Sequence, residues 1–197
     1  TDKHMINTIK GRPIETFFVA DGGQSDATTC TFCLVTFDNG QYYLYQLANY
    51  YHSGSDTGVV KAMSTYAKDI KLFKEWCYSK WEIIHISINF FVDPACKTLR
   101  EELHLLGIMT DAADNNSRDK ISSNGMKIEV GIERVQNLLT KEVLFCIPDR
   151  MTMTFYNAIK EIGMYVRKDN GIPIDKYNHY LDTLRYAGNY FTKTYLV

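Results

Sequence analysis

The chain has 197 residues, 45% of them hydrophobic and 23% charged, with a net charge of −1. That balance excludes a disordered segment and supports one sizeable domain that buries a core without disulfides or structural metals. The near-zero charge excludes a uniformly basic surface, so any grip on nucleic acid has to come from local patches. No apolar run approaches the ~20 residues of a membrane span, and no secretory leader is visible. Thr1-Asp2-Lys3-His4-Met5 does not read as a natural start. Residues 1–15 are therefore set aside as a cloning remnant or linker, and residues 16–197 are read as the domain, excised from a longer chain.

Thr16 to Ala20 is a short apolar run ending in Asp21-Gly22-Gly23, a buried strand that delivers an acid at its end. Thr29 to Phe37 and Gln41 to Asn49 are two β-rich runs joined by Asp38-Asn39-Gly40, a strong hairpin signal. Cys30 and Cys33 form a C-x-x-C, but a strand points them to opposite faces, and no second pair completes a zinc site. With Cys77, Cys96 and Cys146 they make an odd count, read as free thiols of a reducing compartment.

From Thr57 to Lys80 the period becomes helical, with Val60, Met63, Ala67, Ile70, Phe73 and Cys77 on one face and Asp56 or Thr57 as cap. Glu82 to Val92 is a second strand ending in an acid, Asp93, and Pro94 suits the first turn of the next helix. That helix carries Ala95, Leu99, Leu103 and Leu106 and stops at Gly107. Asp111 to Gly125 is polar and reads as a surface loop. Ile128, Ile132, Val135 and Leu139 mark a helix, Val143 to Ile147 a short strand, and Met151, Phe155, Ala158 and Ile162 another helix. Asp169-Asn170-Gly171 is a hairpin turn, and Asn178 caps a last helix from His179 to about Tyr190.

The order predicts an α/β fold: three antiparallel strands, then parallel strands alternating with helices, in a mixed sheet flanked by helices, with an extra β-hairpin before the last helix. The right-handed crossover rule places the strand ending in Asp93 beside the strand ending in Asp21. Ligands collect at such strand ends. Asp182 lies on the last helix, with His179 one turn earlier on the same face. Clustered carboxylates repel unless a cation neutralises them, and oxygen ligands suit Mg²⁺ or Mn²⁺. Two such ions activate water and stabilise the leaving oxygen of a phosphodiester. Singly, each signal has a structural explanation: a turn at Asp21-Gly22-Gly23, a helix cap at Asp93-Pro94, a solvated pair at His179 and Asp182. Their joint placement points to chemistry.

From about Thr16 to Tyr190 the residues resemble the nuclease domain of the large subunit of tailed-bacteriophage terminases, an RNase H-like fold. Phe18-Val19-Ala20-Asp21-Gly22-Gly23 is similar to the family's first acidic strand, and Val92-Asp93-Pro94-Ala95 to its second acid. Gly131 to Leu139, then Phe145-Cys146-Ile147, resembles its following helix and strand. Lys176-Tyr177-Asn178-His179-Tyr180-Leu181-Asp182-Thr183-Leu184-Arg185-Tyr186 is the most specific piece, close to the family's Asn/Asp-His-x-x-Asp-Ala-x-Arg-Tyr signature. Thr183 departs from it by replacing the usual Ala. The resemblance implies Asp21, Asp93 and Asp182 as acids holding two Mg²⁺ or Mn²⁺ ions, with His179 lining the site. It implies an endonuclease that cuts concatemeric double-stranded viral DNA, with little sequence preference of its own. It also implies an ATPase domain, a portal protein and a small terminase subunit as partners, no membrane, a host-cytoplasmic setting and a monomeric isolated domain.

The ATPase half is not in this sequence, which holds no G-x-x-x-x-G-K-[ST] loop. Arg118, Lys120, Arg167, Lys168 and Lys176 are candidates to grip phosphates by charge, against the alternative of a solvated face. Asp26 is a candidate to support the first acid or to cap its loop, and Arg185 to brace the fold. The rival readings are another RNase H-like enzyme, such as a resolvase or transposase, and a non-catalytic module that docks on the portal or on DNA.

Overall fold

The computed structural model describes residues 2–23, 27–82, 88–116, 127–149, 151–169, 171–174 and 176–196. Six strands form one sheet: β1 (Arg12–Asp21), β2 (Ala27–Asp38), β3 (Gln41–Ser53), β4 (Ile88–Val92), β5 (Asp111–Ala112) and β6 (Leu144–Cys146). Their spatial order is β5-β4-β1-β2-β3-β6. β1, β2 and β3 pair antiparallel, while β4 runs parallel to β1, β5 to β4 and β6 to β3. This is the expected mixed sheet, with the Asp93 strand beside the Asp21 strand. Six α-helices are described: α1 (Gly54–Thr57), α2 (Met63–Trp81), α3 (Lys97–Leu105), α4 (Lys127–Thr140), α5 (Thr154–Met164) and α6 (His179–Tyr195).

Strand alternation in β1 builds two cores. Phe18 and Ala20 face one side with Ile70, Phe73, Leu99 and Leu103, under α2 and α3. Phe17 and Val19 face the other with Leu138, Leu184, Ala187 and Phe191, under α4 and α6. Cys30 and Cys33 fall into different cores and all five cysteines are free, so the C-x-x-C is a by-product of strand packing. No helix among the described residues is long and apolar enough to cross a membrane.

Several local expectations need correction. The helix expected from Thr57 is split. Ser53 caps a single turn through the Asp56 amide, and Gly58, at φ 70°, ends it in the left-handed region. α2 then starts at Met63, which leaves Val60 outside it and 64% exposed. Within the segment read as a loop, Asp111 and Ala112 form β5. Gly107, at φ 79°, turns the chain and Ile108 tucks into the core, so the chain returns alongside β4. α5 starts at Thr154 rather than Met151, and Met151 and Ile162 are exposed, Ile162 to 55%. Its buried face is Asn157, Ala158 and Glu161, because a polar cluster needs partners there. The hairpin before α6 is one antiparallel bridge, Arg167 opposite Pro173, with Gly171 at φ 79°. At the N-terminal end, Met5 bridges to Cys146, and Ile6 and Ile9 pack against the first core. The early part of the strand expected over Glu82 to Val92, together with Asp26, Arg118 and Lys120, lies outside the described residues.

Candidate active site

Parallel pairing fixes the first two acids. Ala20 lies opposite Val92, and the Asp93 amide donates to the Ala20 carbonyl at 3.0 Å. Asp21 and Asp93 are therefore the next residues on two adjacent strands, released at the same edge, and both are buried. Sheet topology, not local sequence, brings them together.

A third side chain stands between them. Cys96, one turn after Asp93, places its Sγ 4.0 Å from Asp21 Oδ1 and 3.9 Å from Asp93 Oδ2. It also meets the Gly22 amide and carbonyl, each at 3.2 Å, and so pins the residue that follows Asp21. Burial, then Asp21, pushes the Cys96 thiol up to about 12, so it sits there as a neutral S–H group. From the sequence Cys96 reads only as an inert thiol; its spacing of three from Asp93, across the turn that leads into α3, was the available signal.

α6 supplies the other two predicted residues. His179 Nδ1 lies 2.9 Å from Asp21 Oδ2. Asp182 stands one turn on, its Oδ1 held by Arg185 Nε at 3.2 Å and Nη2 at 2.9 Å, and its Oδ2 by Asn178 Nδ2 at 3.2 Å. Asn178 occupies the N-cap position, but its side chain turns to Asp182 and makes no cap bond. The cap comes from α5. The buried Glu161 Oε2 accepts the Tyr180 amide at 2.8 Å and the Leu181 amide at 3.2 Å. Local pattern gives no hint of Glu161, because its partners are 19 and 20 residues away.

The acids sense one another. Burial, then Asp21, raises Asp93 above the usual carboxylate range. Burial raises Asp182 to about 6, with Arg185 opposing the shift and Asp21 adding to it. Tyr186, one turn beyond Asp182, is raised by burial and then by Asp182, Asp21 and Asp93. Donor atoms of Asp21, Asp93 and Cys96 lie within 4.8 Å of one another, and Asp182 stands outside that tight group. Acids buried this close together repel, and a bound cation would relieve that repulsion beyond what His179 on Asp21 and Arg185 on Asp182 offset. The carboxylate oxygens fit a hard divalent cation.

α6 is also held on the sheet. Thr183 Oγ1 meets Thr31 Oγ1 at 2.8 Å, and Asn49 Nδ2 reaches Thr29 and Thr31 at 2.8 and 3.0 Å. Of the basic candidates, Arg167 forks onto the buried Glu129 at 2.5 and 2.8 Å and also donates to the Gly171 carbonyl. Lys176 Nζ lies 4.7 Å from the Tyr177 ring centre. Lys168 contributes its amide to the hairpin turn, donating to the Ile172 carbonyl.

No family model matches the chain, and no curated protein sequence matches it. Solved structures do. The ADP complex of the large terminase from a thermophilic bacteriophage superposes with a TM-score of 0.70 at 22% identity, covering 99% of this chain and 43% of that one. A second crystal form of the same terminase gives 0.71 at 23% identity, covering 96% and 42%. The P22 large terminase nuclease domain gives 0.62 at 14% identity, covering 98% of this chain and 88% of that one. This chain thus spans less than half of the thermophilic phage protein and matches 88% of the P22 domain, and it shares the fold of that nuclease domain.

Proposed function

We propose that this chain is the metal-dependent endonuclease domain of a viral DNA-packaging terminase large subunit, cleaving double-stranded DNA. The observation that carries the reading is the release of Asp21 and Asp93 from adjacent parallel strands at one edge, with His179 on Asp21. Asp182, one turn after His179 on α6, would complete the set.

Asp21, Asp93 and Asp182 would hold two Mg²⁺ or Mn²⁺ ions, which supply water activation and stabilisation of the leaving oxygen. The chain's own residues prepare the ground. His179 fixes the rotamer of Asp21, Arg185 and Asn178 fix Asp182, and Cys96 fixes the Gly22 backbone. Burial of the acids strengthens the charge interactions in the site. The domain would have little sequence preference of its own. Arg167, Lys168 and Lys176 around the hairpin, and Arg118 and Lys120 before α4, are the candidate phosphate contacts. In a full-length protein the domain would work with an ATPase domain, a portal protein and a small subunit, in the host cytoplasm.

The test is nicking of supercoiled plasmid with Mn²⁺, comparing the wild-type chain with Asp93→Ala. The reading expects cleavage that needs the divalent ion and is lost in the variant. An intact plasmid with wild type, or equal cutting by Asp93→Ala, overturns it.

A further inference from the structure

Nothing in the chain path ties Asp93 to Asp182. One follows a strand and the other sits on a helix, 89 positions later in the sequence. Yet a continuous run of hydrogen bonds joins them. Asn115 Nδ2 donates to Asp93 Oδ1 at 3.3 Å. The Asn115 carbonyl accepts from Arg185 Nη1 at 3.0 Å. The other edge of the same guanidinium donates to Asp182 Oδ1 at 2.9 and 3.2 Å. The planar five-donor fork of arginine suits it to serve both partners at once.

Asn116 locks this run from behind. It is fully buried, at φ 67°, a conformation that asparagine tolerates better than most residues. Its Oδ1 accepts from Arg185 Nη1 at 2.6 Å and from Asn189 Nδ2 at 2.9 Å. Asn189, also fully buried, donates to the Asp114 carbonyl at 2.8 Å and accepts from Arg134 at 3.0 Å. The network fits only because α4 carries Gly131 where it crosses α6. A Cβ there would collide with Asn116 Oδ1 and stand 2.7 Å from Arg185 Cγ. Gly188, the other glycine of this crossing, faces only apolar atoms: a Cβ would lie 3.1 Å from Val135 and 3.4 Å from Leu138.

We infer that Asn115, Asn116 and Arg185 are positioning residues that hold Asp93 and Asp182 at one spacing, in the room that Gly131 leaves. The inference rests on the proposed nuclease reading. Its physical content is preorganisation. Two acids that repel each other drift apart unless their outer oxygens are held, and each misplaced ligand weakens a metal site.

The experiment measures Mn²⁺ binding to the metal-stripped chain by calorimetry, alongside the Mn²⁺ dependence of plasmid nicking. Asn115→Ala and Gly131→Ala are expected to weaken Mn²⁺ binding by about 10–100-fold. Both should raise the Mn²⁺ concentration for half-maximal nicking more than they lower the rate at saturating Mn²⁺. Gly188→Ala disturbs the same helix crossing without touching the network, and should bind Mn²⁺ like wild type. Wild-type-like binding by Asn115→Ala, which removes a donor at the edge of the network and spares the helix crossing, overturns the clamp. So does Gly188→Ala weakening Mn²⁺ as much as Gly131→Ala, because the effect is then general packing. A wild-type chain that neither binds Mn²⁺ nor nicks DNA overturns the nuclease reading and the clamp with it.

Discussion

His179 Nδ1 lies 2.9 Å from Asp21 Oδ2, which joins the first turn of the last helix to the end of the first strand across 158 residues. A carboxylate gripped by imidazole keeps one rotamer and directs its other oxygen away from the ring. His179→Ala is expected to lower plasmid nicking by about 10–100-fold, the usual cost of losing such a partner. His179→Asn, which can still donate one hydrogen bond, should retain more activity than His179→Ala. Equal activity in wild type and His179→Ala would remove His179 from the site.

The pH dependence of stability should carry a contribution from Asp182, beside those of Asp93 and Glu161, whose carboxyls burial also raises. The Asp182 carboxyl is raised to about 6, above its value in an unfolded chain. The folded state therefore binds the proton more tightly. This favours folding at low pH, and the advantage is lost as pH rises through about 6. In metal-free buffer, the wild-type melting temperature should fall between mildly acidic and neutral pH, and Asp182→Asn should flatten that fall. Mn²⁺ should raise the melting temperature more at neutral than at acidic pH, because the cation replaces the proton. Parallel pH profiles for wild type and Asp182→Asn would contradict this.

Glu161 gives a test of helix positioning. Its Oε2 takes two amides at the start of α6, the helix that carries His179 and Asp182. Glu161→Ala strands those amides in the interior and should cost about 1–3 kcal/mol of stability, read by urea denaturation. Glu161→Gln keeps an oxygen acceptor and should cost less. Cleavage by Glu161→Ala should fall even where the protein remains folded, since the start of α6 loses its anchor.

Thr183 stands where the similar family usually has alanine, and its hydroxyl meets Thr31. Thr183→Ala removes two hydrogen bonds, one to Thr31, which still accepts from Asn49, and one to the Tyr180 carbonyl, which lies within the same helix. The expected cost is about 1 kcal/mol in stability, with nicking unchanged. A large loss of nicking would show that this contact does more than dock the helix.

Much of the fold was legible in one dimension. Asn39-Gly40 set the β2–β3 hairpin, and the continuous apolar run from Thr16 to Ala20 marked a strand buried on both faces. The helical spacing of Ala67, Ile70 and Phe73 marked the buried face of α2. The errors came where non-local partners outweigh periodicity. In α5, Ile162 points outward and Glu161 inward, because a buried carboxylate with two amides to accept is more stable there than an apolar side chain that leaves them unpaired.

By itself the sequence determined the strand ends at Asp21 and Asp93, the helix carrying His179 and Asp182, and the order of elements that makes a mixed sheet. Those are properties of local pattern and of the few topologies that pattern allows. The tertiary structure alone decided that Cys96 stands between Asp21 and Asp93, that Glu161 rather than Asn178 caps α6, and that Asn115 and Arg185 link Asp93 to Asp182. Each of these is a contact that a side chain makes with another segment, set by how helices seat on the sheet, and local periodicity carries no record of it.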